Sequence, residues 1–180
     1  MKVIIILGSI RRGRQSEKVA SYLAGRLDLR DEIVHETVDF REPALPFMDE
    51  RLKYLDSPPE PVVKWGESIR TADRIIVVSP EYNGSFAGVL KNALDYLNDE
   101  YEGKIVGIAT VSGGAHGGGG CFDALYKFFF KMGARPLDVH LKINKVASTF
   151  AIKDRMVAAS EYADEVESFL EAVLRRDIDE

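Results

Sequence analysis

Val3-Ile4-Ile5-Ile6-Leu7-Gly8-Ser9-Ile10-Arg11-Arg12-Gly13-Arg14-Gln15-Ser16 opens the chain with two patterns joined end to end. Val3 to Leu7 is a continuous apolar run of strand length bounded by a glycine, as expected for a strand buried on both faces. From Ser16 the period changes. Val19, Ala20, Leu23, Ala24 and Leu27 recur on one face of a helix over 16–27. A doubly buried strand leading into an amphipathic helix is the first half of a parallel strand–helix unit.

The same alternation continues along the chain. Glu32 to Phe40 alternates around Ile33 and Val38 and reads as a second strand. Residues 41–60 are irregular, with prolines at 43, 46, 58 and 59. Pro61 to Thr71 reads as a helix that tolerates proline in its first turn. Arg74–Val78 is the third strand, and Phe86–Asn98 a helix with Val89, Leu90, Ala93, Leu94 and Leu97 inward. Lys104–Val111 is the fourth strand, followed by a crowd of glycines over 113–120. Phe122–Met132 is helical and closed by Gly133, Leu137–Ile143 is the fifth strand, and Arg155–Leu174 a final amphipathic helix. Five strands separated by helices predict an α/β domain over 1–180, with a parallel sheet covered on both faces. In such a sheet, ligands sit beyond the carboxyl ends of the strands near the point where strand order reverses. The loops after strands one, three and four should share that rim, and they are the three unusual loops of this chain.

Composition narrows the function classes. At 180 residues and 46% apolar content the chain can bury a sizeable core. A net charge of −5 argues against nucleic acid as a partner. The N-terminal apolar run is too short to be a leader or a membrane span. The single cysteine, Cys121, rules out an internal disulfide framework and fits a reducing cytoplasm, so the expected setting is cytoplasmic, with no membrane partner.

Loop one has phosphate chemistry. Gly8 allows a tight exit, Ser9 and Ser16 offer hydroxyls, and the N–H groups opening the next helix face an anion favourably. Arg11, Arg12 or Arg14 could form a paired contact to phosphate oxygens. The alternative is a solvated basic turn with Ser16 capping the helix. The spacing matches neither the dinucleotide fingerprint nor the Walker A loop. Asp39, at the end of the second strand, stands where a ribose-binding acid would lie, but without that fingerprint it reads as a satisfied surface carboxylate.

Loop three, Ser79-Pro80-Glu81-Tyr82-Asn83-Gly84-Ser85, is too large, aromatic and polar to be only a turn. Pro80 stiffens the exit. Asn83 and Gly84 tolerate positive φ, so the chain can turn back with amides facing a planar heterocycle. Tyr82 can lie against such a ring, and Ser85 is placed to cap the helix from Phe86. Loop four, Ser112-Gly113-Gly114-Ala115-His116-Gly117-Gly118-Gly119-Gly120, lets backbone approach a flat ligand or act as a hinge. His116 is either a catalytic histidine or a surface residue, the latter being favoured. His35, His116 and His140 have no metal spacing, so no metal site is expected. Cys121 reads as a small buried hydrophobe.

These residues bring the chain to a known family. It resembles the NADPH-dependent FMN reductases of the flavodoxin-like superfamily, which include quinone, azo-dye and chromate reductases. The matching segments are Gly8-Ser9-Ile10-Arg11 with Ser16, Asp39 through Leu45-Pro46 to Asp49-Glu50, and Pro80-Glu81-Tyr82-Asn83-Gly84-Ser85 with Gly88, Leu90-Lys91-Asn92-Ala93 and Asp95. Gly113-Gly114 and Met132-Gly133-Ala134 also match. The first loop departs where many members carry a second serine and an asparagine and this chain has Arg14 to Glu17; Ala87 stands where proline is common. The resemblance implies a flavodoxin-like three-layer sandwich with strand order 2-1-3-4-5. It implies FMN, with Ser9, Arg11 and Ser16 around its phosphate and with Arg14 and Gln15 also among the cofactor-binding residues. Pro80, Glu81, Tyr82, Asn83, Gly84 and Ser85 would lie along the ribityl chain and ring, and Ser112, Gly113 and Gly114 at the other ring edge. The implied reaction is a ping-pong hydride transfer from NADPH or NADH to FMN N5, and on to a quinone, azo dye, free flavin or metal-ion acceptor, with no catalytic side chain. The alternatives are a non-enzymatic flavodoxin-type electron carrier, which three loop-one arginines disfavour, or a flavin-binding interaction subunit. A homodimer or homotetramer is also expected, because the helix around Leu125, Phe128, Phe129 and Phe130 has more aromatic surface than one inward face can use. Segment 41–60 is expected to border the acceptor pocket.

Overall fold

The apolar runs pair as their burial requires. In the computed structural model, which describes residues 1–114, 118–146, 151–153, 156–158 and 162–176, β1 (Lys2–Leu7), β2 (Val34–Asp39), β3 (Arg74–Pro80), β4 (Ile105–Val111) and β5 (Arg135–Ile143) form one sheet in the order β2-β1-β3-β4-β5. Every neighbouring pair in it is parallel. The expected order is therefore observed. Register aligns the exits. Leu7 stands opposite Asp39 on one side and Val78 on the other, Val78 opposite Ala109, and Val111 opposite Ile143. The carboxyl ends thus share one rim, and strand order reverses between β1 and β3.

Alternate side chains of each strand feed two cores. Ile4, Ile6, Ile75, Val77, Val106 and Ile108 pack with α2 (Glu60–Arg70), α3 (Gly88–Asp95) and α4 (Gly119–Lys131). Val3, Ile5, Leu7, Ile76, Val78, Ala109 and Leu141 pack on the other face with α1 (Ser16–Leu27) and α5 (Ala163–Leu174). The helix α1 spans the predicted residues, because its apolar stripe and its strand are adjacent in sequence. No residue of the edge strand β2 is buried, which explains its mixed pattern.

Two helices differ from expectation in ways that matter here. The predicted helix over 86–98 holds only from Gly88 to Asp95, because Ala87 is extended (ψ 144°) and Asn98 turns out of helical geometry before a short 3₁₀ turn at Asp99–Tyr101. The last helix does not begin at Arg155. Met156–Ala158 is a strand, β7, paired antiparallel with β6 (Ala151–Lys153). Its apolar residues imitate an upstream continuation of the α5 stripe, but the buried face of α5 begins only at Val166. In α4, Phe129 is buried and Phe128 partly buried, while Phe130 is 69% exposed. Its aromatic surface does exceed its inward face. No helix among the described residues is long and apolar enough to cross a membrane.

Candidate functional site

A cavity of about 240 Å³ lies at the rim, over the reversal of strand order. Loop one lines it with Ser9, Arg11, Gly13, Arg14, Gln15 and Ser16, loop three with Pro80, Glu81 and Tyr82, and loop four with Ser112 and Gly113. Val111 and Val146 complete it. Ten of the fourteen expected site residues therefore converge on one cavity; Asn83, Gly84, Ser85 and Gly114 do not line it.

Loop one is organised from underneath. Arg14, whose side chain is only 2% exposed, lies beneath the loop. Its Nη1 donates to the Ser9 carbonyl at 2.6 Å and to Asp39 Oδ1 at 2.7 Å, its Nη2 pairs with Asp39 Oδ2, and its Nε meets Glu17 Oε2 at 3.2 Å. Asp39 is thus a satisfied carboxylate at the exit of β2, as its setting suggested. The Arg14 guanidinium, with the Arg41 backbone N–H at 3.0 Å, holds Asp39 below the ordinary carboxylate range against the opposing effect of burial. A depressed pKa in the folded state stabilises the fold above the unfolded value, about pH 4 for Asp. That contribution disappears as pH falls through the folded value. Wild type should therefore exceed Asp39→Asn in denaturation midpoint at neutral pH, and the gap should close on titration below about pH 4. A gap independent of pH would show that the ionised carboxylate is not what Arg14 stabilises.

Arg11 differs from Arg14. It is exposed, lines the cavity, and its guanidinium has no ion pair among the described residues. Arg12 is exposed but does not line the cavity. The helix α1 opens at Ser16 behind Gln15, with no side-chain cap. Ser16 is therefore not the cap of this helix; its hydroxyl is buried and has no hydrogen-bond partner, as is Gln15 Oε1.

Loop three folds back on itself. Tyr82 and Ser85 exchange backbone hydrogen bonds of 2.7 and 3.1 Å around Asn83 (φ 52°) and Gly84 (φ 79°). The two residues expected to take positive φ do so. Ser85 closes this turn and does not cap α3, whose N-cap position is Ala87, two residues later. The Tyr82 hydroxyl lies 3.0 Å from Ser9 Oγ and ties loop three to loop one. Glu81 Oε2 accepts the Cys121 N–H at 3.1 Å, placing a carboxylate against the N-terminal turn of α4. A Cβ on Gly120 would come within 2.7 Å of the Gly84 carbonyl oxygen. Cys121 is fully buried, and burial pushes its thiol up to about 11. It is a packing residue, not a nucleophile.

Loop four is described up to Gly114, and again from Gly118. Ala115, His116 and Gly117 lie outside the described residues. Ser112 Oγ receives the Gly114 N–H at 3.0 Å, and Val146 N–H bonds the Ser112 carbonyl at 3.2 Å. Gly13, Val111 and Val146 line the cavity without having been expected there, and Val146 lies farthest from the three loops in sequence. Its signal was available: it follows the end of β5, beside β4, on the same rim. No group of His, Cys, Asp and Glu among the described residues could hold a metal ion.

The lining fits FMN. The orphaned Ser16 hydroxyl, an uncapped helix start and an unpaired arginine suit a phosphate. Gln15 Oε1, an acceptor without a donor, suits a ribityl hydroxyl rather than a phosphate oxygen. Beyond loop one the cavity is lined by Pro80 and Tyr82 and by the small residues Ser112 and Gly113, which let backbone approach a flat ring.

Comparison with known proteins agrees. The sequence profile of one family, described as NADPH-dependent FMN reductase, matches residues 1–147. An NAD(P)H-dependent FMN reductase of Schizosaccharomyces pombe is 34% identical over 146 residues, covering 75% of this chain and 70% of the relative. A quinone reductase of Pseudomonas putida is 32% identical over 128 residues, covering 68% of this chain and 66% of its own. Among solved structures, the flavoenzyme NAD(P)H:(acceptor) oxidoreductase FerB of Paracoccus denitrificans superposes with a TM-score of 0.79 at 21% identity, covering 96% and 94% of the two chains. The fold is flavodoxin-like.

Proposed function

The chain belongs to the NADPH-dependent FMN reductase family, and from that premise we propose that it passes reducing equivalents from NADPH or NADH, through FMN, to a small quinone or azo acceptor. It is an oxidoreductase that uses FMN and NAD(P)H. The observation that carries the assignment is the cavity over the strand-order reversal, with the Ser16 hydroxyl left without a partner in its wall.

Bound FMN supplies the electron transfer itself. The chain's residues bind and orient. Ser9, Ser16 and Arg11 would hold the phosphate, with the first N–H groups of α1 adding the helix dipole. The turn at Tyr82–Ser85 and the small residues Ser112 and Gly113 would set the ring edges. The nucleotide and the acceptor would then use this site in turn, a ping-pong order. Asp49 and Glu50 belong to segment 41–60, which does not line the cavity; we place it at the acceptor side of a neighbouring subunit. Asn92 anchors that segment, taking the Met48 N–H at 2.9 Å and donating to the Pro46 carbonyl at 2.7 Å. Exposed Phe130 and the groove between Phe86 and Phe128 support self-association through α3 and α4.

The purified protein should show a flavin absorption spectrum and oxidise NADPH in the presence of a quinone, with parallel lines in double-reciprocal plots. Light scattering at micromolar concentration should give a multiple of 20.1 kDa. Flavin binding without turnover would favour the electron-carrier alternative; absence of flavin binding would overturn the assignment.

A further inference from the structure

Two carbonyls of loop one are pulled toward the exit of β2. The Ser9 carbonyl accepts from Arg14 Nη1 at 2.6 Å, and the Arg11 carbonyl accepts from Arg41 Nη2 at 3.0 Å and, within the loop, from the Arg14 N–H at 3.2 Å. Both arginines converge on one carboxylate, because Asp39 takes the Arg14 guanidinium and the Arg41 backbone N–H. In a trans peptide the C=O and the following N–H point in opposite directions. Drawing the Ser9 and Arg11 oxygens toward β2 therefore turns the Ile10 and Arg12 N–H groups to the opposite side of the loop. It also removes from the site two carbonyl dipoles that would repel an anion.

We propose that Asp39, Arg14 and Arg41 are the positioning residues of the phosphate loop, and that Arg14 holds the loop rather than the phosphate. The guanidinium of Arg14 is occupied by three protein partners: the Ser9 carbonyl, Asp39 and Glu17. Its charge is balanced by carboxylates at contact distance, so it adds little field at the cavity. The unpaired cation of the loop that faces the cavity is Arg11. The arrangement divides the arginines of loop one between two tasks, one setting backbone geometry and one meeting the anion. This inference rests on the reading that the cavity takes FMN.

The test is a fluorescence titration of FMN and riboflavin against wild type, Arg14→Lys, Asp39→Asn, their double variant and Arg41→Gln, with a thermal melt of each. If Arg14 positions the loop, lysine cannot replace it, since a single ammonium cannot span the same three partners. Arg14→Lys and Asp39→Asn should each weaken FMN by about tenfold. The double variant should be no worse than the weaker single, because both break one device. Riboflavin, which has no phosphate, should bind all of them like wild type. If Arg14 were instead a phosphate ligand, Arg14→Lys would keep most of the FMN affinity, and Asp39→Asn, by freeing the guanidinium, would raise it. Either result overturns the proposal. Should the buried substitutions fail to fold, which the melt and the riboflavin titration report, Arg41→Gln at the exposed end of the clamp decides. It should lower FMN affinity and spare riboflavin, and unchanged FMN affinity there refutes the clamp. Failure of wild type to bind either ligand would refute the FMN reading itself, a different outcome.

Discussion

Arg11→Ala should weaken FMN binding about 10- to 150-fold while leaving riboflavin almost untouched. A charge-assisted hydrogen bond from a guanidinium to phosphate contributes roughly 1.5–3 kcal/mol, which at ~1.4 kcal/mol per decade gives that range. Position selects Arg11 from the three arginines of loop one. Arg14 is committed to Asp39, Glu17 and the Ser9 carbonyl, and Arg12 does not reach the cavity. Arg12→Ala is therefore the matched control and should bind FMN as wild type does. The loss in Arg11→Ala should also shrink as salt rises, because screening already weakens an exposed cation in wild type. If Arg11→Ala reduced riboflavin affinity as much as FMN affinity, Arg11 would be supporting the loop or the ring rather than the phosphate. If neither moved, the hydroxyls of Ser9 and Ser16 and the N–H groups of α1 would have to hold the anion without it.

What could be read from the residues was local and periodic. The strand β1, loop one and helix α1 are contiguous, so burial pattern, glycine and stripe lie within one window, and α1 was placed to the residue. Asn83 and Gly84 were legible because positive φ is a property of residue type, and both adopt it. The Arg14–Asp39 pair was not legible. Its members lie 25 residues apart, and only parallel pairing of β1 with β2 brings Asp39 level with Leu7, beneath the loop. In the sequence Arg14 was one of three equivalent cations. The β6–β7 pairing was missed because three apolar residues upstream of a true amphipathic helix satisfy its period as well as a strand's. Ser85 was misjudged as a cap for a related reason. Its type suits an N-cap, but its backbone closes the Tyr82 turn, and that bond decides where α3 can start.

Gly120→Ala should weaken FMN and riboflavin together, by about 5- to 140-fold, the converse of the Arg11 pattern. The new methyl would stand 2.7 Å from the Gly84 carbonyl oxygen. That oxygen belongs to backbone closed by the two Tyr82–Ser85 hydrogen bonds, so it has no rotamer by which to withdraw. Inserting a methyl into a packed contact costs typically ~1–3 kcal/mol. In the free protein the turn relieves this strain by moving away from α4. Ligand binding must restore its position, so the strain is read as lost affinity, at ~1.4 kcal/mol per decade. Glu81 moves with the turn, since its carboxylate is fixed on the Cys121 N–H, one residue beyond the substitution. The effect should not depend on the phosphate, because loop three is assigned to the ring and ribityl chain. Gly119→Ala is the control: its added carbon would meet nothing within 4 Å, and alanine is the better helix former. Wild-type riboflavin affinity in Gly120→Ala would mean that the ring does not depend on how loop three sits against α4.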